Sequence, residues 1–118
     1  MKLKIPVGFI GGGNMAEAMI QGLLASKTVI PSDCWVCDII EDRLNHLKKT
    51  YGVKAVHDTP QVIRSSRAVV LAVKPQNIEK ALSTLAPIWS REKVLVSIAA
   101  GVPIAYMESF FDKTPKII

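Results

Sequence analysis

Short apolar segments rich in β-branched residues alternate along this 118-residue chain with segments whose apolar residues recur at helical spacing. This alternation predicts a parallel sheet, because consecutive parallel strands are joined by crossover helices that also cover the sheet. Strands buried on both faces are apolar along most of their length, as these segments are. Five strands are predicted, at residues 5–10, 34–38, 53–56, 68–73 and 94–98, and a sixth begins after Thr114-Pro115. Right-handed crossovers then favour a doubly wound α/β sheet.

The segments between the strands are amphipathic and predict helices. Apolar residues recur at helical spacing in residues 16–24, 44–47 and 78–85. Pro103 suits the first turn of a further helix that carries Ile104, Met107 and Phe110 or Phe111. Residues 1–118 show no internal repeat or linker, so a single domain is predicted.

A glycine-rich turn joins the first predicted strand to the first helix. It reads Gly11-Gly12-Gly13-Asn14-Met15-Ala16, in which Gly11, Gly13 and Ala16 match the pattern G-x-G-x-x-G/A. Gly11 would allow the tight turn, Gly13 the close approach of a pyrophosphate, and Ala16 the close packing of helix and sheet. The N–H groups at the helix start favour an anion. The pattern therefore predicts a Rossmann-type fold that binds NAD or NADP, with a merely structural turn as the alternative.

An acidic residue follows the second predicted strand. Asp38 lies 22 residues after Ala16, close to the spacing of about 20 for an acid that binds the adenosine ribose. Its carboxylate would accept hydrogen bonds from the ribose hydroxyls of NAD and repel the 2′-phosphate of NADP. The alternative is that Asp38 caps a helix beginning near Glu41-Asp42. Arg43 lies nearby and favours the more anionic cofactor.

The cysteines and histidines point to no metal or redox centre. Cys34 and Cys37 have C-x-x-C spacing, but on a strand residues three apart face opposite sides, so the two sulfurs should diverge. We interpret them as buried small hydrophobic residues. His46 and His57 have no partner at ligand spacing and are expected at the surface.

The composition is that of a packed globular protein, with 49% hydrophobic and 21% charged residues. The net charge of +5 is scattered from Lys2 to Lys116 without a basic patch or interleaved aromatics, which argues against nucleic-acid binding. No apolar run approaches the roughly 18 residues that cross a bilayer, and no signal peptide is visible. A cytoplasmic protein without a membrane partner is expected.

Two further motifs end the fourth and fifth predicted strands, at residues 71–76 (Leu-Ala-Val-Lys-Pro-Gln) and 96–102 (Val-Ser-Ile-Ala-Ala-Gly-Val). Together with residues 8–16 they resemble the amino-terminal domain of pyrroline-5-carboxylate reductase, and the similarity runs through essentially all 118 residues. The resemblance implies an oxidoreductase of proline biosynthesis, in which NAD(P)H reduces a cyclic imine to L-proline. It also implies that this chain supplies the cofactor-binding half of the active site and no catalytic acid.

The resemblance assigns a part of the cofactor to each motif. The pyrophosphate would lie on Gly11, Gly12, Gly13, Asn14 and Met15, the ribose beside Asp38 and Ile39, and the adenine near Thr59. The nicotinamide would lie between two loops, one formed by Ala72, Val73, Lys74 and Pro75 and the other by Ala99, Ala100 and Gly101. For Lys74 the alternative is a solvated cation before a turn, and for residues 97–101 a strand end packed on the first helix.

This sequence departs from the family pattern in two ways. Asp38-Ile39 is acidic and apolar where many NADP-using relatives carry a polar or basic pair, so NAD is favoured. The family also continues into a helical domain that binds substrate and forms the dimer, so we expect a truncated chain that binds cofactor without turnover. Two alternatives stay open: a stand-alone nucleotide-binding redox sensor, and the cofactor domain of another imine or hydroxyacid oxidoreductase.

Overall fold

The computed structural model describes residues 5–99 and 101–118. Within these residues six strands form one sheet, and every neighbouring pair is parallel. The strands are β1 (Val7–Ile10), β2 (Cys34–Cys37), β3 (Lys54–Val56), β4 (Ala68–Leu71), β5 (Val94–Ser97) and β6 (Lys116–Ile117). Their order across the sheet is β3-β2-β1-β4-β5-β6. This confirms the predicted doubly wound sheet and its sixth strand.

The α-helices of the described residues follow the strands in turn. They are α1 (Asn14–Ala25), α2 (Glu41–Tyr51), α3 (Thr59–Ser65), α4 (Ile78–Leu85) and α5 (Ile104–Glu108). Among the described residues, no helix combines the length and apolar character that a membrane span requires.

The sheet divides the core into two clusters, because successive side chains of a strand point to opposite faces. On one face Phe9, Val36 and Val70 pack with Ile20 of α1 and Leu47 of α2. On the other face, residues of β4 and β5 pack with helices α3, α4 and α5, through Val69, Leu71, Leu95, Val62, Leu82 and Met107. Helices α1 and α2 therefore share one face of the sheet, and α3, α4 and α5 share the other.

Strand β1 lies at the point where the strand order reverses. It pairs with β2 on one side and with β4 on the other. In open α/β sheets ligands bind in the crevice outside the carboxyl ends of the strands at such a switch point. The turn that leaves β1 is the glycine-rich turn, so the fold places this turn at the crevice.

Several predicted boundaries were wrong. The predicted first strand began at Ile5, but the ladder begins at Val7, after Pro6, which has no N–H to donate. The predicted fourth strand ran to Val73, but β4 ends at Leu71. The other predicted strands were also too long, by one residue each. The extra residues include Val53, Ala72, Val73 and Ile98, which lie outside the ladder but still pack on the core.

Two errors concern helices. Pro103 is the residue that precedes α5 rather than part of its first turn, and α5 ends at Glu108, before Phe110 and Phe111. Helix α3 was not predicted at all, although the Asp58 side chain accepts a hydrogen bond from the Gln61 N–H at its start.

Candidate cofactor-binding site

The tight turn after β1 depends on Gly11. Its φ is +105°, a conformation that L side chains rarely adopt, and a Cβ there would lie 2.7 Å from the backbone oxygen of Ala72. The Gly11 N–H donates to the Cys37 carbonyl at 2.9 Å. The turn is therefore wedged between the ends of β2 and β4, where only glycine fits.

Gly13 and the start of α1 face outward. Gly13 is the residue before α1, and a Cβ on it would have no heavy atom within 4 Å. Asn14 and Met15 are exposed, whereas Ala16 is fully buried against the sheet. The first N–H groups of a helix have no intrahelical acceptor and carry the positive end of its dipole. Open space therefore adjoins an anion-favouring helix end, which fits a pyrophosphate.

Gly12 is buried and held at both of its backbone polar groups. Its N–H donates to Asp38 Oδ2 at 2.7 Å, and its carbonyl accepts from Arg43 Nε at 2.7 Å. Asp38 Oδ1 also accepts from the Ile40 N–H at 2.8 Å. Side chains that follow β2 therefore fix the middle of the glycine turn.

Asp38 follows β2, where the ribose contact is predicted. The alternative, that Asp38 caps α2, was wrong. The residue before α2 is Ile40, which makes no side-chain cap hydrogen bond. Each Asp38 oxygen accepts one backbone hydrogen bond, and a carboxylate oxygen can accept two. Since Asp38 is only partly buried, it retains capacity for a ligand hydroxyl.

Glu17 of α1 gathers three side chains of α2. Its Oε1 accepts from Arg43 Nη2 at 2.8 Å, while its Oε2 accepts from Tyr51 Oη at 2.7 Å and bonds His46 Nε2 at 2.9 Å. These hydrogen bonds, that of His46 first and then those of Tyr51 and Arg43, lower the pKa of Glu17 to about 2. We call Glu17, Arg43, His46 and Tyr51 the Glu17 network. It joins α1 to α2 directly behind the glycine turn.

The predicted adenosine side lies beside β2 and β3. The side chain of Ile39 is 87% exposed, and Thr59 Oγ1 donates to Cys37 Sγ at 3.4 Å. His57 Nδ1 donates to the Asp38 carbonyl at 3.0 Å, and its Nε2 bonds the Glu41 carboxylate, which raises the pKa of His57. These residues border the end of β2, next to Asp38.

The histidines make two contacts that the sequence did not predict. His46 and His57 are at the surface, as expected. Neither stands alone, however, because each bonds a carboxylate of another element. The sequence separations are 29 and 16 residues, so local spacing gives no sign of these pairs.

The two predicted nicotinamide loops follow β4 and β5, which are neighbours. Ala72 N–H donates to the Ile10 carbonyl at 2.9 Å, which joins the first loop to β1. Lys74 is exposed, and its carbonyl accepts from the Asn77 N–H in a short 3₁₀ turn that begins at Pro75. Val73, between them, is partly buried.

The second loop begins beside the first. The Ile98 N–H donates to the Leu71 carbonyl at 3.3 Å, and Ala99 N–H to Ser97 Oγ at 3.3 Å. Gly101 has a φ of +78°. Ala100 lies outside the described residues. The fold thus brings the loops after β1, β4 and β5 to one edge of the sheet, while their roles in cofactor binding stay predictions.

The cysteines lie in different core clusters, on opposite faces of β2. Both are buried, as predicted, and both are free thiols. Burial raises the pKa of the Cys34 thiol to about 12 and also raises that of Cys37. Within residues 5–99 and 101–118, no group of three or more His, Cys, Asp or Glu side chains could hold a metal ion.

Sequence reasoning missed the part that Glu17 and Arg43 play at the turn. The sequence marks Arg43 only as a charge near Asp38 and gives no sign of a role for Glu17. Arg43 and His46 lie three residues apart on one face of α2, which is the available signal that this face meets a common partner.

A parallel sheet in the order 3-2-1-4-5-6, with a glycine turn opening a helix at its switch point, defines a Rossmann-type dinucleotide-binding domain. The chain belongs to the family described as "NADP oxidoreductase coenzyme F420-dependent", whose model matches residues 6–101. Its resemblance to the amino-terminal domain of pyrroline-5-carboxylate reductase is confirmed by the relatives it matches.

Three of these relatives carry that activity in their names. The reductase of Methanosarcina acetivorans is 37% identical over 102 residues, which are 86% of this chain and 38% of the relative. The structure of the Coxiella burnetii reductase matches with a TM-score of 0.92 and 33% identity, over 98% of this chain and 43% of that one. A Plasmodium falciparum reductase with NADP bound shares the fold, with a TM-score of 0.83 and 23% identity over 99% and 42%. The chain therefore spans about two fifths of their length.

Proposed function

We propose that this chain is the cofactor-binding part of a pyrroline-5-carboxylate reductase. The observation that carries the proposal is the Gly11–Ala16 turn at the sheet's switch point, in a chain 37% identical to a reductase of that name. The NADP-bound Plasmodium falciparum structure supports a nicotinamide dinucleotide as the ligand.

Each part of the candidate site has a binding task in this proposal. The Gly13–Met15 amides would hold the pyrophosphate, because they lie at the open N-terminus of α1. The loops after β4 and β5 would border the nicotinamide, since they share one sheet edge with the turn. When bound, the reduced nicotinamide supplies a hydride.

The reaction depends mainly on the orientation of the cyclic imine relative to the nicotinamide. The carbon of a protonated cyclic imine is electrophilic. When it accepts a hydride, the π pair of the C=N bond moves to the positively charged nitrogen, which becomes the amine of proline without a further acid at that step. Holding two reactants in the right geometry lowers the barrier by making the step effectively unimolecular. We expect the residues that hold the imine and form the dimer to belong to the rest of a longer reductase, because this chain spans 38% to 43% of the relatives' length.

We propose NAD rather than NADP as the preferred cofactor. Asp38 would face the adenosine ribose, because it follows β2 and bonds the glycine turn. A 2′-phosphate would meet its negative charge there. Arg43, which could offset this charge, is already bonded to Glu17 and to the Gly12 carbonyl. The short-range contact with Asp38 should therefore outweigh the net positive charge of the chain, whose longer-range effect is screened by salt.

The experiment is a titration of NADH into the chain and into Gly13→Val. The branched side chain would enter the open space where the pyrophosphate must approach. We expect at least a ~10-fold loss of affinity, equivalent to about 1.4 kcal/mol. Gly22→Val is the matched control, because its Cβ also meets nothing within 4 Å, yet it lies further along α1. Equal affinities in all three proteins would contradict the assignment.

A further inference from the structure

Asp38 and Arg43 bind the same residue of the glycine turn. Asp38 accepts the Gly12 N–H, and Arg43 donates to the Gly12 carbonyl, each at 2.7 Å. The carboxylate assigned to the ribose and the guanidinium therefore bind the N–H and the carbonyl of one residue. The long Arg43 side chain would have to rotate away from both of its present partners to bring its charge to the ribose position.

Glu17 binds the guanidinium where it is. The Arg43 Nη2 to Glu17 Oε1 distance is 2.8 Å, and the two side chains are only 26% and 22% exposed. Partial burial reduces the screening of such a pair by water. Arg43 thus uses its Nε on the Gly12 carbonyl and its Nη2 on Glu17, so both bonds would be given up if it turned toward a ligand.

The remaining members of the Glu17 network fix Glu17 itself. Tyr51 donates to Oε2 at 2.7 Å, and His46 bonds the same oxygen at 2.9 Å. Both come from α2, as Arg43 does, so the carboxylate is held from one helix on both of its oxygens. Because Glu17 is fixed in this way, its bond to Arg43 restricts the otherwise flexible Arg43 side chain to one position.

We propose that Glu17 is a specificity-determining residue that favours NAD by holding Arg43 away from the ribose 2′ position. The inference rests on the proposed function, since it presumes that Asp38 faces the adenosine ribose. An arginine near this position is what accommodates a 2′-phosphate in Rossmann-type domains, and guanidinium binds phosphate through paired hydrogen bonds. Because the Arg43 guanidinium is bonded to Glu17, it does not contact a 2′-phosphate, and Asp38 alone faces the 2′ position.

The simpler possibility is that Glu17 only joins α1 to α2. Both possibilities predict a less stable protein when Glu17 is changed. A purely structural role would weaken NADH and NADPH together, because the two cofactors share everything except the 2′-phosphate. The ratio of their dissociation constants therefore separates a specificity role from a structural one.

The experiment measures Kd for NADH and NADPH in the full 118-residue chain, in Glu17→Gln and in Tyr51→Phe. Glu17→Gln keeps the shape of the side chain but removes the charge that holds Arg43. We expect the NADPH to NADH ratio of Kd values to fall by at least ~10-fold, as for the gain of one hydrogen bond to a charged group. Tyr51→Phe removes one bond to Glu17 but leaves the charge that holds Arg43, so its ratio should change by less than that of Glu17→Gln.

A second variant ties the effect to Arg43. Glu17→Gln combined with Arg43→Met should return the ratio to that of the unaltered chain, because no guanidinium is left to release. Thermal unfolding of each variant verifies that it is folded at the titration temperature. A ratio unchanged in folded Glu17→Gln, or a shift that persists without Arg43, would overturn the inference and leave the proposed function standing. Failure of the unaltered chain to bind either dinucleotide would overturn both.

Discussion

At the scale of single residues, Gly11 lies in a crowded turn whereas Gly22 lies on an open face of α1. Gly11 has a φ of +105° and a backbone oxygen 2.7 Å from where its Cβ would be. Gly11→Ala should therefore destabilise the protein by at least about 2 kcal/mol, from left-handed strain and the forced shift of Ala72. Urea unfolding followed by circular dichroism measures this change.

Gly22→Ala is the matched control for that substitution. Gly22 lies within α1, and its Cβ would meet nothing within 4 Å. Alanine there should stabilise the protein by about 0.5–1 kcal/mol, because glycine loses more backbone freedom in a helix. If both alanines had the same effect, the local geometry of the turn would not be what limits Gly11.

Asp38→Ser tests the predicted cofactor preference. The change removes the negative charge that a 2′-phosphate would meet, so NADPH should gain on NADH by at least ~10-fold in relative Kd, about 1.4 kcal/mol. Titration of both cofactors gives this ratio. Asp33→Ser, which alters the net charge equally at the other end of β2, should leave it unchanged.

The outcome that contradicts the role of Asp38 is tighter binding of NADPH than of NADH by the unaltered chain. Asp38→Ser also removes the acceptor of the Gly12 N–H, so some loss of affinity for both cofactors is expected. Only the ratio reports on the 2′ position.

The position of Asp38 could be predicted from sequence, but its contacts could not. Its spacing from Ala16 places it at the end of β2 in any sheet of this topology. The bond to Gly12 depends on how deeply the turn lies against Val36 and Leu47, which a Cβ on Gly12 would meet at 3.3 and 3.0 Å. Spacing along the chain carries no information on that depth.

At the scale of elements, the contact between α1 and α2 should weaken in acid. The folded pKa of Glu17 is about 2, below the usual 4.5. A lowered pKa means that the carboxylate stabilises the fold above pH ~4.5, and that this contribution is lost as the pH falls toward ~2. Unfolding of the chain and of Glu17→Gln, measured at pH 7, 4 and 3, should show a difference that shrinks with falling pH.

Other groups titrate over the same pH range, but they are the same in the unaltered chain and in Glu17→Gln. Their contributions to the free energy of unfolding therefore cancel in the difference between the two proteins. Glu92, for example, also has a lowered pKa, because its carboxylate accepts its own backbone N–H and a bond from Ser90. Its contribution is common to both proteins and cancels in the difference. A difference that stays constant from pH 7 to pH 3 would show that the Glu17 charge contributes nothing to the contact.

Elements with long periodic patterns were predictable, and α3 was not. Helix α1 has 12 residues and repeats its apolar positions over three turns. Helix α3 has seven residues, buries only Val62 and Ile63, and carries Pro60 in its first turn. Two adjacent apolar residues fit a strand or a loop as well as a helix, so tertiary packing decides this segment.

At the scale of the whole molecule, the chain should bind NADH but not oxidise it in the presence of pyrroline-5-carboxylate. Its relatives are more than twice its length, and we expect the substrate-holding residues in their remaining part. The absorbance of NADH at 340 nm follows the reaction. A full-length pyrroline-5-carboxylate reductase is the positive control, and oxidation by this chain above the substrate-free rate would contradict the division of labour.

The hydrogen bonds around Gly12 also lower the conformational entropy that the glycine turn would lose when the cofactor binds. The glycine turn is anchored to β2 and α2 through the Cys37 carbonyl, Asp38 and Arg43. Ordering one loose backbone residue costs about 1–2 kcal/mol, and here that ordering accompanies folding rather than binding. A mutation that frays α2, far from any ligand atom, would therefore weaken cofactor binding by loosening the turn.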